Sequence, residues 1–443
     1  MIVGLGATGA SCVRHFARLG ASFEVWDSEL QPAGLAAVNE LLESSQLHLG
    51  ASRVEISQPD AQLLVSPGVA LDSPLLSDVP EGVPLSGDID EFARCAQAPI
   101  IAVTGSNAKS TVVSLLGEMT TAHFEAVGVG GNLGTPALDV LSVDAQCYVL
   151  ELSSFQLERT HELAAEVACL LNVSADHIDR HGNMLAYQQA KQRIFRNARH
   201  KIFNRHDPLT SPLVDAASKV TSFGLDAPDF NQFGLRTLDG VEYLACGFEA
   251  LMPVADIALS GRHNVLNVVA AFAIGAAIGL PVATMSQVAS QFTGLPHRCE
   301  SIGERAGVSY FNDSKATNVG ATVAAVEGLT DQFSQTLFLI AGGQPKGQQF
   351  APLIELLGQT RCELLLIGEC AGELSALAGE QVKHQRFDSL ADAVSYAAGQ
   401  SVAGDRVLLS PACASFDMFA GFEDRGEQFR ALVNELDGGA AHG

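Results

Sequence analysis

The stretch Ile100-Ile101-Ala102-Val103-Thr104-Gly105-Ser106-Asn107-Ala108-Lys109-Ser110-Thr111 runs from an apolar, β-branched segment through a loop of small residues into a helical pattern over Val112 to Met119. Strand, loop and helix in that order make a nucleotide-phosphate grip. Loop amides and the helix N-terminus face phosphate oxygens, the Lys109 ammonium reaches the terminal phosphates, and the Ser110 or Thr111 hydroxyl can hold Mg²⁺. The strict pattern GxxxxGK[ST] is not met, because Val103 and Ala108 stand at its two glycine positions. A structural turn that contains Lys-Ser-Thr is the alternative reading.

Outward from this stretch, short apolar runs alternate with longer helical patterns. The runs are Phe23 to Trp26, Leu63 to Val65, Tyr148 to Leu150, Ala168 to Leu171, Leu337 to Ala341, Glu363 to Ile367 and Val407 to Leu409. Such alternation predicts βαβ units and parallel sheets, hence an α/β fold. Weaker patterning from Asp226 to Asp256 predicts a small antiparallel excursion. Glycine and proline punctuate two junctions, Pro84 to Asp90 and Phe292 to Pro296. No internal repeat of about 20 to 50 residues is present, which argues against solenoids and propellers.

The chain has 443 residues, 47% hydrophobic and 17% charged. That length predicts several domains, three being the expected number, with little disorder. A formal charge of −24 repels nucleic acid and anionic membranes, so neither is an expected partner and a polyanionic ligand requires a local positive site. Nine scattered cysteines without a CxxC pair resemble neither a zinc ribbon nor a disulfide framework and suit a reducing cytoplasm. The N-terminal MIVGLGATG reads as a strand and glycine turn, not an export signal. The longest apolar stretch, Val268 to Ala283, is shorter than the roughly 20 residues of a membrane span and is expected to form one buried helix.

Gly4, Gly6 and Gly9 form GxGxxG after a short strand, and Asp27 ends the next one. Glycines there let the backbone and a helix N-terminus approach a phosphate, while the acid can accept hydrogen bonds from a nucleoside. A nicotinamide or flavin cofactor, another nucleotide and a tight turn all fit this pattern.

Further chemistry gathers at strand ends. Glu151 closes the run from Tyr148 and is placed to ligate Mg²⁺. After the run ending at Leu171 come Asn172, Asp176, His177 and Asp179, where His177 can ligate metal or hold an anion and the acids can cap a helix. Lys191 lies in a helical pattern and by itself reads as a solvated lysine. His263, Asn264 and Asn267 open the long apolar helix, with amides that can read a purine or cap the helix. Lys315, Lys346 and Arg298 stand in loops rich in glycine, serine and asparagine and supply local positive charge. Cys413 lacks a paired base and reads as a buried structural thiol.

Taken together, TGSNAKST (104–111), ELSSFQLE (151–158), NVSADHIDR (172–180), SGRHNVLN (260–267), GLPHR (294–298), NDSKATN (312–318) and SPACASFDMF (410–419) resemble the Mur ligases of bacterial cell-wall synthesis along nearly the whole chain. GDIDEF (87–92) and FEDRG (422–426) resemble the members that add D-glutamate; a sister ligase for another amino acid is the alternative. The resemblance implies three domains: a UDP-binding Rossmann-like domain (1–87), a central P-loop-type ATPase domain with a parallel sheet (88–293) and a Rossmann-like C-terminal domain for the amino acid (294–443).

It also implies the chemistry. The carboxylate of UDP-N-acetylmuramoyl-L-alanine attacks the γ-phosphate of ATP, and D-glutamate attacks the resulting acyl phosphate. Gly105, Ser106, Asn107, Ala108, Lys109, Ser110, Thr111, Asn264, Asn267, Arg298 and Asp313 would bind ATP. Gly6, Ala7, Thr8, Asp27, Ser66, Gly68 and Asn132 would bind the UDP substrate, and Lys315, Thr317, Lys346, Ser415, Phe416 and Phe422 would frame D-glutamate. Lys109, Glu151, His177 and Lys191 would be catalytic. Two Mg²⁺ sites would draw on Ser110, Glu151, His177 and Lys191, the last as a carbamate formed with CO₂. The enzyme would be a cytoplasmic monomer. Gln344-Pro345 and Phe416 depart from the family's usual residues, as does Ala108, where alanine, the next smallest residue, reads as a mild replacement for glycine.

Overall fold

A computed structural model describes residues 1–56, 61–213, 218–330, 335–345 and 347–436. The chain divides into two compact units. One comprises Met1–Val173, Leu185–Asp256 and Val268–Ala289; the other comprises Ser174–Met184, Ile257–Asn267 and Ser290–Gly443.

The first unit holds two sheets. The N-terminal one contains β1 (Ile2–Val3), β2 (Val25–Asp27), β3 (Leu47–Leu49), β4 (Leu63–Val65) and β5 (Leu85–Ser86) in the order β3-β2-β1-β4-β5, with every pairing parallel. The helix Ala7–Arg18 follows β1 through a tight turn in which Gly4 has φ +90°. A Cβ on Gly9 would stand 2.0 Å from the Gly4 carbonyl oxygen, so the third glycine of GxGxxG is demanded by helix–strand approach. The same contact sets the helix N-terminus directly over the end of β1.

The second sheet is built from β6 (Ile100–Thr104), β7 (Val127–Gly131), β8 (Cys147–Glu151), β9 (Val167–Leu170), β10 (His200–Asn204), β11 (Lys219–Phe223), β12 (Gln232–Leu238), β13 (Val241–Cys246) and β14 (Glu249–Pro253). Its order is β14-β13-β12-β11-β10-β9-β6-β8-β7. From β7 to β12 the pairings are parallel; β12, β13 and β14 form the antiparallel excursion expected from the sequence. Because β6 lies between β8 and β9, the loops leaving these three strands share one edge, where parallel sheets collect their ligands.

The single apolar helix expected over Val268 to Ala283 is two helices, Arg262–Ala277 and Val282–Ala289. Gly279 takes φ +82° and Pro281 lacks the amide needed to continue the first helix. Among the described residues no helix is long and apolar enough to cross a membrane.

The second unit contains β15 (Glu300–Arg305), β16 (Val308–Asn312), β17 (Leu337–Gly342), β18 (Cys362–Ile367), β19 (Lys383–Arg386) and β20 (Arg406–Leu409) in the order β15-β16-β20-β17-β18-β19. Among these six strands the β15–β16 pairing is antiparallel and the others are parallel. Leu337, Leu339 and Ala341 pack on one face of this sheet with Leu353 and Leu374, while Phe338 and Ile340 pack on the other with Val394 and Phe429. Burial on both faces explains why its strands read as continuous apolar runs rather than alternating ones.

Candidate active site

The phosphate-type loop leaves β6 at Thr104, whose Oγ1 donates to the Leu152 carbonyl at 2.6 Å. Asn172, just beyond β9, braces the loop three times: its carbonyl accepts from Ser106 N (2.9 Å), its Oδ1 accepts from Asn107 N (2.8 Å), and its Nδ2 donates to Asn107 O (3.1 Å). Ser106 Oγ lies 2.9 Å from the Tyr187 hydroxyl. Neither Asn172 nor Tyr187 was assigned a role from sequence, although Asn172 heads the NVSADHIDR motif and Tyr187 sits one helical turn before Lys191.

Lys109 Nζ donates to Gly105 O (2.7 Å) and Ser106 O (2.9 Å). Lys191, 1% exposed in the helix Met184–Gln192, donates to the same Gly105 oxygen at 2.7 Å and lies 4.7 Å from the Tyr187 ring centroid. Two lysine nitrogens therefore share one carbonyl. Ser110 and Thr111 are buried in the first turn of the helix Lys109–Thr121.

Glu151, at the end of β8, is 2% exposed. Its Oε1 accepts from Asn132 Nδ2 at 2.7 Å, and its carbonyl accepts from Asn132 N at 2.8 Å. Its Oε2 is buried without a hydrogen-bond partner among the described residues. An orphaned carboxylate oxygen carries a desolvation cost that a cation relieves, so the side chain fits an Mg²⁺ ligand. Gly131, which carries Asn132 to this position, has φ +104°, and a Cβ there would lie 2.3 Å from Glu151 O. Asn132 thus stands with Glu151 at the central sheet.

Ala108, the N-cap of the same helix, has φ +66°. The mild reading of this position rested on size, but the constraint is conformational: the left-handed region disfavours any Cβ by about 1–2 kcal/mol. At the N-terminal sheet, both Asp27 oxygens accept backbone amides, Oδ2 from Leu5 (2.6 Å) and Oδ1 from Glu29 (2.8 Å). Ser66 Oγ donates to Gly4 O at 2.7 Å. These two side chains shape the glycine turn, while Gly6, Ala7 and Gly68 are exposed and Thr8 is half-buried.

In the second unit His177 precedes the short helix Ile178–His181 with φ +54°, and its Nε2 lies 3.6 Å from Asp176 Oδ2. Asp176 Oδ2 also accepts from Asn318 at 3.2 Å. Asn264 donates to Ser260 O (2.8 Å), and Asn267 donates to Asn264 Oδ1 (3.0 Å). In both bonds the side-chain amide donates, so neither satisfies a first-turn backbone N–H as a helix cap does. Lys315 Nζ stands 3.6 Å from the Phe422 ring centroid, joining two residues expected at the amino-acid site. Ser415 is buried, Phe416 is 69% exposed, and Thr317 and Arg298 are half-buried. Lys346 lies outside the described residues.

Arg425 had no role assigned from sequence. It is 1% exposed, and its guanidinium donates to Ser314 Oγ (3.0 Å), Ser314 O (2.8 Å) and Cys413 O (3.2 Å). It bolts NDSKATN to SPACASFDMF, and burial lowers its pKa to about 10. Asp313 accepts from Cys299 N (3.0 Å) and Ser410 Oγ (2.7 Å). Burial pushes its carboxyl up to about 7 against those two bonds.

Replacing Ala108 by glycine removes the left-handed penalty; the variant is expected to gain about 1 kcal/mol, less the entropy glycine adds to the unfolded chain. Urea unfolding measures this, and a lower midpoint for Ala108→Gly contradicts the assignment. For Asp313, the unfolded carboxyl ionises near 4 and the folded one near 7, so this group's contribution to stability declines as pH rises through that window. Asp313→Asn should flatten the decline in unfolding free energy between those pH values; parallel curves for variant and parent would refute it.

Three family models match the chain: the Mur ligase MurD-like N-terminal domain over 1–87, the Mur ligase middle domain over 103–275 and the Mur ligase glutamate ligase domain over 297–413. The UDP-N-acetylmuramoylalanine--D-glutamate ligases of Pseudomonas fluorescens and Pseudomonas aeruginosa are each 48% identical over 437 residues, covering 98% of this chain and of each relative. Among solved structures, the UDP-N-acetylmuramate-alanine ligase of Thermotoga maritima aligns with a TM-score of 0.60 at 17% identity, covering 98% of both chains. MurF ligase of the same organism, solved in complex with ADP, aligns with a TM-score of 0.60 at 16% identity over 99% of this chain and 95% of that one. Full-length identity at this level, with three consecutive domain models, makes the chain a member of the Mur ligase family, with that family's three-domain architecture.

Proposed function

We propose that the chain is an ATP-dependent ligase that joins D-glutamate to UDP-N-acetylmuramoyl-L-alanine in peptidoglycan precursor synthesis. The observation that carries this reading is the 48% identity, over 98% of both chains, to ligases named for that reaction. In the first step the acceptor carboxylate forms a bond to the γ-phosphorus of ATP while the bond to the β-bridging oxygen breaks, releasing ADP. The D-glutamate amine then attacks the acyl carbon, and collapse of the tetrahedral adduct expels phosphate and leaves the amide.

Lys109 and the amides of Gly105 to Thr111 neutralise and orient the phosphates during transfer. Ser110 and Glu151 would hold Mg²⁺, as would His177; the ion supplies charge neutralisation at the phosphate oxygens when bound. Asn132, which donates to Glu151, is proposed to contact the UDP substrate. Asn264, Asn267, Arg298 and Asp313 are proposed for ATP; Gly6, Ala7, Thr8, Asp27, Ser66 and Gly68 for the UDP moiety; and Lys315, Thr317, Lys346, Ser415, Phe416 and Phe422 for D-glutamate. Domain limits of 1–87, 88–293 and 294–443, a monomeric state and a cytoplasmic location complete the proposal.

Lys191 is proposed to react with CO₂ through its unprotonated amine, forming an N–C bond and losing a proton to give a carbamate. Lys109 and Lys191 both reach Gly105 O at 2.7 Å, so their nitrogens are at most twice that distance apart. Like charges this close, one of them buried, repel, and carbamylation would replace the repulsion by attraction. Protein equilibrated with ¹³C-bicarbonate is expected to show a carbamate resonance that Lys191→Ala lacks; an unlabelled parent protein would remove this role.

Phosphate release should require the UDP substrate and D-glutamate together, and among D- and L-amino acids D-glutamate should give the highest kcat/KM. Release that proceeds without any amino acid would argue against the ligase reading. Preference for another amino acid would identify a sister ligase instead.

A further inference from the structure

Away from the phosphate loop, three potential metal donors converge in the first unit. His15 belongs to the helix Ala7–Arg18; Glu91 and Cys95, four residues apart, share one face of the helix Asp88–Cys95. His15 Nε2 lies 3.3 Å from Glu91 Oε1 and 3.8 Å from Cys95 Sγ, and Cys95 Sγ lies 3.7 Å from Glu91 Oε1. His15 is buried, and the other two are half-buried. None of the three has a place in the ligase chemistry above.

These separations fit a particular ion class. Zinc binds nitrogen and oxygen at about 2.0–2.2 Å and sulfur at about 2.3 Å in a tetrahedron, which places neighbouring ligand atoms about 3.4–3.6 Å apart. The three observed edges span 3.3–3.8 Å, so a dication could enter with side-chain adjustments of a few tenths of an ångström. A sulfur and an imidazole nitrogen favour a borderline or soft ion over Mg²⁺, which prefers oxygen.

The surroundings meet a further requirement of a metal site, a supported ligand. The second carboxylate oxygen, Glu91 Oε2, accepts from Arg94 at 2.9 Å, and Arg94 is clamped in turn by both oxygens of Glu162 at 2.8 and 2.9 Å. Glu91 Oε1 is thereby oriented toward the other donors. Glu91 and Arg94 also line a cavity of about 290 Å³ with Phe16, Phe23 and Ser86, so open space lies beside Glu91. Burial first, and then Glu91, push the Cys95 thiol up; a bound dication opposes both effects by stabilising the thiolate.

We propose that His15, Glu91 and Cys95 form a structural site for a zinc-class divalent cation, separate from the Mg²⁺ chemistry of the phosphate loop. Bound there, the ion would tie the helix after β1 to the helix before β6. The alternative is a triad held by hydrogen bonds alone, and cobalt separates the two. Full-length protein freed of metal with a chelator and held in saturating Mg²⁺ is titrated with Co²⁺.

The expected result is one equivalent bound with tetrahedral ligand-field bands and a thiolate-to-cobalt charge-transfer absorption, all lost on adding Zn²⁺. Cys95→Ser should abolish the charge-transfer absorption while retaining the parent's far-ultraviolet circular dichroism, and His15→Gln should weaken Co²⁺ binding at least about tenfold. Cobalt held only by the oxygen ligands of the phosphate-loop site would show no thiolate band. Absence of the band in the parent protein overturns the site, as does an undiminished band in Cys95→Ser.

Discussion

The carbonyl of Gly105 is the point on which the site depends. It accepts from Lys109 and from Lys191, each at 2.7 Å, and it belongs to a loop held open by Asn172 on one side and by the Tyr187 contact to Ser106 on the other. A loop of small residues has no core of its own and gains little from burial. Its shape is therefore imposed by groups outside it: an asparagine from the end of β9, a tyrosine from the helix of Lys191, and a threonine hydroxyl tied to the strand beside it. Changing any one of these would disturb the backbone amides proposed to hold the phosphates.

Sheet order explains why the bracing groups arrive there. β6 is flanked by β8 and β9, so Thr104, Glu151 and Asn172 leave adjacent parallel strands at the same edge. Glycine then admits the backbone where side chains would not fit. Gly131 passes so close to Glu151 that a Cβ would overlap its carbonyl, and this approach is what brings the Asn132 amide to the carboxylate. The N-terminal sheet repeats the device with Gly4 and Gly9, where Asp27 and Ser66 use their polar atoms to fix the turn.

Much of this was legible in the sequence because the signals are local. Buried strands announce themselves as apolar runs, and Lys109, Ser110 and Glu151 stand where a strand-loop-helix and a strand end predict them. Two kinds of information were not legible, and a third was written in the sequence but outweighed. The handedness of Ala108 depends on how the loop closes, so its size alone misled. The break between Ala277 and Val282 was overridden by hydropathy, although Gly279 and Pro281 mark it. The brace from Asn172, the contact of Tyr187 and the bolt from Arg425 join residues 65, 81 and more than 100 positions apart in sequence, where neither periodicity nor spacing carries a signal.

Electrostatics gives these arrangements a common logic. A chain of charge −24 repels a nucleoside triphosphate at long range, and screening leaves the decision to charges within a few ångströms. Lys109 and Lys191 concentrate positive charge on one carbonyl, at a cost in mutual repulsion that a hydrated surface pair would not incur. Phosphate oxygens, in the proposed role of Lys109, would relieve that repulsion there. The carbamate proposed for Lys191 would relieve it there and add a negative group suited to a cation, as would Glu151 Oε2, which has no hydrogen-bond partner among the described residues. Glu151 Oε2 is thus the buried atom of the site that protein leaves unsatisfied among the described residues, and a dication bound there would direct binding free energy to the place proposed for phosphoryl transfer.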